Sequence, residues 1–160
     1  MFSRKYLENV TRKNVLALDC ATHCGFYHPD EAGTWDLKKI AKAKGCGLHR
    51  AFAETLRDFC AKHDIKIVAA ENVSFVGDFI AMRRLSEIRG VLYYICDDLG
   101  LPEPCFIDVA ALKKWATNDP KADKAKMIEF CRKRWGVDPI DDTMADAAHI
   151  FNWFVQLYQL

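Results

Sequence analysis

Five carboxylates stand out because of what lies beside them. Asp19 closes the apolar run "NVLALDCAT" (14–22), and Glu71 lies near the end of "IKIVAAENV" (65–73). Asp141, Asp142 and Asp146 open "IDDTMADAAHIFNWFVQLY" (140–158), which is otherwise almost wholly apolar. Carboxylates brought together repel, and at least one pKa rises unless a cation neutralises them. Hard oxygen ligands select Mg2+ or Mn2+, and Mg2+ completes its octahedron with waters and phosphate oxygens. Two such ions roughly 3.5–4 Å apart can activate a water and stabilise the leaving oxygen of an in-line phosphodiester displacement. That chemistry asks for three or four acids and no cysteine or histidine nucleophile.

On a helix, residues four apart share a face, so Asp142 and Asp146 stack, His149 follows on the same side, and Asp141 points elsewhere. Met144, Ala147, Ala148, Phe151, Phe154 and Val155 form a second stripe, the packed one. Acids in a first helical turn complement the macrodipole and cap exposed N–H groups, which accounts for Asp141 or Asp142 but not for Asp146. A single acid ending a strand is an ordinary turn residue. Two strand ends and one helix face converging are harder to explain separately.

The elements that must position these acids follow from periodicity. Three antiparallel strands are predicted from 14–22, "CGFYH" (24–28) and "GTWDLK" (33–38), with the turn signal "PDEAG" (29–33) between the last two. Leu48, Ala51, Phe52, Leu56, Phe59 and Cys60 predict a helix over 47–63. The next strand, 65–73, should pair in parallel with the first, because a crossover helix lies between them. A long helix over 78–100, a strand at 104–109 and helices over 109–117, 122–135 and 141–159 complete the order β-β-β-α-β-α-β-α-α-α. This is an α/β layered domain with a mixed sheet. Parallel neighbours would deliver Asp19 and Glu71 to one sheet end, where α/β folds commonly place their sites.

The 160 residues, 51% of them apolar, suffice for one domain over 14–160 after an N-terminal extension, 1–13. No stretch approaches the roughly 18 apolar residues of a membrane span, and the N-terminus lacks an apolar signal core, so a cytoplasmic protein with no membrane partner is expected. Seven scattered cysteines without paired metal-site spacing read as reduced thiols. Cys20 and Cys24 with His23 and His28 would be scattered over both faces of a strand–turn–strand. A net charge of +1 announces no polyanion partner, yet basic residues gather at Arg83–Arg84, Lys113–Lys114, Lys121–Lys126 and Arg132–Arg134. A solvated helix face is the simplest account of each run, and a local basic surface is the alternative.

"LALDCAT", "IVAAENV" and "DDTMADAAHI", in that order on this frame, resemble the ribonuclease H-like nucleases, and most of all the RuvC family of Holliday-junction resolvases in its phage-type branch. "SEIRGVL" (86–92) and the lysine-bearing "LKKWATNDPKADKAKMI" (112–128) add to a resemblance that covers nearly the whole chain from residue 14. It implies a ribonuclease H-like α/β fold with a mixed five-stranded sheet flanked by helices. It also implies a magnesium-dependent crossover junction endodeoxyribonuclease of DNA recombination and repair, acting as a homodimer in a bacterial or phage-infected cell. Asp19, Glu71, Asp142 and Asp146 match the four metal-binding acids of a two-ion site, with Asp19 bridging both ions and Mn2+ able to replace Mg2+. The best-known members carry acids three apart in the last motif, where Thr143 stands here. The "DD-x-x-A-D-A" form resembles the phage branch and favours Asp142 over Asp141. Lys113 and Lys124 fall where the family has basic residues beside the scissile phosphate. Phe75 falls where it has an aromatic that pushes on bases at the junction. Arg83, Arg84, Lys114 and Lys121 are expected to bind the DNA backbone. The alternatives are another nuclease of this fold, acting on branched DNA or RNA–DNA hybrids, or a catalytically silent nucleic-acid-binding domain.

Overall fold

The computed structural model describes residue 2 and residues 4–72 and 78–160. A short helix, α1 (Arg4–Leu7), and a 3-10 turn (Arg12–Asn14) lead into a meander of β1 (Val15–Asp19), β2 (His23–His28) and β3 (Glu31–Asp36). Then come α2 (Leu37–Lys44), α3 (Leu48–His63), β4 (Ile67–Asn72), α4 (Phe79–Asp98), β5 (Cys105–Asp108), α5 (Val109–Thr117), α6 (Lys124–Trp135) and α7 (Asp142–Tyr158). The strands form one mixed sheet in the order β3-β2-β1-β4-β5. β1 runs antiparallel to β2 and parallel to β4, with Leu18 opposite Ala70. Asp19 and Glu71 therefore emerge side by side at the ends of the two central strands.

One stretch departs from the sequence reading. The strand expected over 33–38 runs Glu31–Asp36 instead, and Leu37–Lys44 is helical. Asp36 is the cause: its carboxylate accepts the Lys39 N–H and caps α2, whose far end is closed by Gly45 at φ 62°. The "PDEAG" signal is correspondingly a tight turn, because Glu31, Ala32 and Gly33 already pair with β2. Residues before β1 also join the domain: Val10 is buried, and the Phe2 ring packs on Phe154 and Tyr158.

Side chains alternate across a strand, and that parity splits the core in two. Leu16, Leu18, Val68 and Ala70 pack with Leu37, Phe52, Leu56, Ile88 and Leu92 on the face covered by α2, α3 and α4. Val15, Ala17, Ile67 and Ala69 pack with Leu112, Ile150, Phe151 and Phe154 on the face covered by α5 and α7. Asp19 and Glu71 share the parity of this second set, so they rise towards α7. That helix is buried on two sides rather than along one stripe, because Ala145 and Ala148 also pack with Cys131 of α6. All seven cysteines are free thiols. Among the described residues, no helix is long and apolar enough to cross a membrane.

Candidate active site

The carboxyls of Asp19 and Glu71 lie close enough to act on each other. Burial raises Asp19 well above the ordinary carboxylate range, and Glu71 and Asp146 push it further. Burial also raises Glu71, against the opposing influence of Asp19 and of the Lys113 ammonium. Asp146 is pushed up to about 7, first by burial and then by Glu71, with Lys113 opposing and Asp142 adding. Its Oδ1 is buried without a hydrogen-bond partner. An orphaned carboxylate oxygen costs stability unless a donor or cation meets it.

The start of α7 is built on the β2–β3 hairpin. Asp141 caps the helix, accepting the Met144 N–H at 2.8 Å, and also accepts hydrogen bonds from Thr34 Oγ1 at 2.7 Å and Thr143 Oγ1 at 3.0 Å. Although burial acts the other way, the bonds from Thr34, the Met144 amide and Thr143 hold its carboxyl below the usual range. Asp142 instead makes an ion pair with Lys124, whose ammonium this contact holds above its ordinary pKa. Among the described residues, no three of Asp19, Glu71, Asp142 and Asp146 bring one oxygen each within 4.8 Å of one another. Mutual repulsion, and the turn of Asp142 to Lys124, account for that open ring. An all-oxygen donor set with raised carboxyls and one orphaned oxygen fits a hard divalent cation such as Mg2+.

This geometry sits on a frame already known from solved structures. Thermus thermophilus RuvC in complex with a Holliday junction substrate matches with a TM-score of 0.68 at 16% identity, over 89% of this chain and 94% of that one. The fold is ribonuclease H-like. A second Thermus thermophilus RuvC structure matches with a TM-score of 0.59 at 17% identity, over 91% of this chain and 96% of that one. The yeast mitochondrial Holliday junction resolvase Ydc2 matches with a TM-score of 0.63 at 12% identity, over 98% of this chain and 84% of that one. No protein-family model and no curated protein matches the sequence.

On the ribonuclease H-like frame the basic residues divide. Lys113 acts on Glu71 and Asp146, and Lys124 on Asp142, Asp146 and Asp19, so both stand with the acids. Lys114 and Lys121 are exposed. Arg83 and Arg84 both pair with Glu87 on α4. It is Arg89, six residues on and roughly 9 Å further along the helix, that reaches the end of β4, donating to Asn72 Oδ1 at 3.2 Å. Phe75 lies outside the described residues.

Two features were hidden from the sequence reading. Gly25 and Thr34 are cross-strand partners, and together they seat the start of α7. The available signal was a glycine inside a strand, a mark of close backbone approach. The second is a latch. His149, fully buried, accepts the Trp135 Nε1–H at 3.0 Å on Nδ1 and donates Nε2–H to the Met127 carbonyl at 2.9 Å. Both nitrogens are used, and burial lowers its pKa, so it is a neutral tie between α6 and α7 rather than a proton relay. Arg134 lies over the Trp115 and Trp135 rings, 4.7 Å from each centroid, and donates to the Trp115 and Ala116 carbonyls. The helices carrying Lys113 and Lys124 are thereby tied to the one carrying Asp142 and Asp146.

Proposed function

We propose that this chain is a metal-dependent, structure-selective endonuclease that hydrolyses phosphodiester bonds in four-way DNA junctions, acting as a homodimer. The observation that carries the reading is the unpartnered Asp146 Oδ1 inside a group of carboxyls held above their ordinary range. Such a group is unfavourable at neutral pH unless a cation meets it. The likeness in fold to a RuvC solved with a Holliday junction and to a yeast mitochondrial resolvase supports the choice of substrate.

Asp19, Glu71, Asp142 and Asp146 would hold two Mg2+ or Mn2+ ions. When bound, the ions supply a nucleophilic water at neutral pH and neutralise charge on the leaving oxygen. The chain's own groups do the positioning. β1 and β4 fix Asp19 and Glu71, and the cap at Asp141 fixes the start of the helix carrying Asp142 and Asp146. Asp141 itself is committed to that cap. Lys124, on the solvent side of Asp142, and Lys113, beside Glu71 and Asp146, offset negative charge at the scissile phosphate. Lys114 and Lys121 hold the DNA backbone, and Phe75 presses on the bases. α4 exposes Phe79, Ile80 and Tyr94. A second copy would cover that apolar surface, and a two-fold dimer suits paired cuts in a nearly two-fold junction.

The test is cleavage of labelled four-way junction, flap, duplex and RNA–DNA hybrid in Mg2+. Preferential, paired cutting of the junction supports the proposal. Equal cutting of flap or hybrid assigns the chain to a broader nuclease activity. No metal-dependent cutting of any substrate overturns the enzyme reading.

A further inference from the structure

We infer that His28, Asp30 and His63 form a second cation site, for a borderline transition metal such as Zn2+, at the end of the sheet opposite the acids. His28 ends β2, Asp30 lies in the following turn, and His63 is the last residue of α3. β2 is antiparallel to β1, with Gly25 facing Asp19, so His28 lies at the far end from the carboxylates. One ligand atom from each of the three residues lies within 4.8 Å of the others, and the two imidazole centroids are 4.3 Å apart. Tetrahedral bonds of about 2.0–2.2 Å put neighbouring donors roughly 3.3–3.6 Å apart, so the set needs to close by no more than about 1.5 Å. The half-exposed Asp30 side chain can make that movement once it leaves Lys13, and it leaves an entry path from solvent.

The partners of the two imidazoles point to a ligand independently of that clustering. His28 Nε2 faces the Lys13 carbonyl at 2.9 Å, and a carbonyl only accepts, so Nε2 carries the proton and Nδ1 carries the lone pair. The Asp30 amide donates to that Nδ1 at 3.1 Å. His63 Nε2 faces Glu31 Oε2 at 3.0 Å, which likewise leaves Nδ1 as its unprotonated nitrogen. Histidines that ligate metals characteristically donate their other N–H to a carbonyl or carboxylate, which fixes tautomer and ring orientation. Two competing contacts must yield. Lys13 pairs with Asp30 at 3.2 Å through largely exposed groups, and such pairs are weak. The Asp30 amide must also release His28 Nδ1. Lys62 is paired with Glu31 Oε2.

Two imidazoles and one carboxylate, with a fourth position for water, suit Zn2+ and not Mg2+. The ion would clip the β2–β3 turn to the end of α3, joining segments 35 residues apart in sequence. The test strips the full chain with a chelator and titrates it with Zn2+ or Co2+, reading the visible spectrum of bound Co2+ and the thermal midpoint. The wild type and Glu71→Gln are expected to share one equivalent that gives nitrogen-ligand absorption and a raised midpoint, apart from any ions the four acids of the wild type take up. His63→Gln and Asp30→Asn should lose both responses, and Glu31→Gln should weaken binding by about 10–100-fold. Asp30→Asn keeps the turn amide and so separates lost ligation from lost folding. Binding that survives in Asp30→Asn and His63→Gln, that disappears in Glu71→Gln, or that is absent from the wild type overturns the inference.

Discussion

A Cβ placed on Gly25 would lie 2.0 Å from the carbonyl oxygen of Thr143. β2 and the first turn of α7 are therefore in backbone contact, and the acids of α7 are positioned by that contact. Gly25→Ala must push the helix start outwards. It is expected to destabilise the fold by about 1–3 kcal/mol and to abolish metal-dependent cleavage. Thr34→Val keeps the volume but removes the donor to Asp141, so a comparable loss of about 1–3 kcal/mol, with cleavage reduced rather than abolished, is expected. Urea melts with cleavage assays on both variants check this; a Gly25→Ala protein with wild-type stability and activity would show that the contact has no positioning role.

Lys124 has two opposed roles, since it pairs with the same carboxylate that a cation would use. Removing an exposed ion pair worth about 0.2–1 kcal/mol frees Asp142. Lys124→Ala should therefore lower the Mg2+ concentration needed for half-maximal cleavage, by up to about fivefold. The saturated rate should fall by about 10²–10³, as when a preorganised charge is removed from a transition state. Metal titrations of cleavage separate the two effects, and a rise in required Mg2+ would mean that Lys124 supports the metal site instead.

The raised carboxyl of Asp146 makes metal-free stability depend on pH. Its folded pKa is about 7 against an ordinary 3.8, so in that interval the folded state keeps a proton that the unfolded chain has released. Stability then falls as pH rises, by up to about 1.4 kcal/mol per unit for this one proton. Asp146→Asn should flatten that slope and make the chelator-treated protein more stable at pH 8. Mg2+ should flatten the slope in the wild type. Thermal melts between pH 4 and 8, with and without Mg2+, decide; a wild-type slope unchanged by either would rule out Asp146 as its source.

The latch at His149 predicts a graded response. Trp135→Phe removes one donor and leaves Nδ1 unpaired, at a cost of about 1–3 kcal/mol. His149→Ala leaves the Trp135 N–H unsatisfied, removes the second bond to the Met127 carbonyl and adds a cavity, so about 3–5 kcal/mol is expected. Denaturant melts measure both. Equal costs for the two variants would show that only the Trp135 bond matters.

Much of this arrangement was legible because it rests on short-range pattern. The apolar runs ending at Asp19 and Glu71 carried both strand identity and strand parity, and the crossover helix implied their parallel pairing. The spacing of Asp142 and Asp146 placed both on α7. What escaped depends on contacts that spacing does not encode. Thr34 and Asp141 are 107 residues apart, and nothing local marks Thr34 as the seat of a helix. Asp36 read as a strand residue because its role as a cap is fixed only by the chain direction after it. His149 read only as following Asp142 and Asp146 on one helix face, because the partner that buries it lies on α6.

The central claim is that the four acids hold the metal that cuts DNA. It is tested most directly by measuring binding and cleavage of a labelled four-way junction by the wild type and Asp146→Asn side by side. The account predicts that the wild type cuts only with Mg2+ or Mn2+, and that Asp146→Asn binds the junction as tightly but does not cut it. Cleavage by Asp146→Asn at the wild-type rate, or a folded wild type that binds junctions and never cuts them, would contradict it.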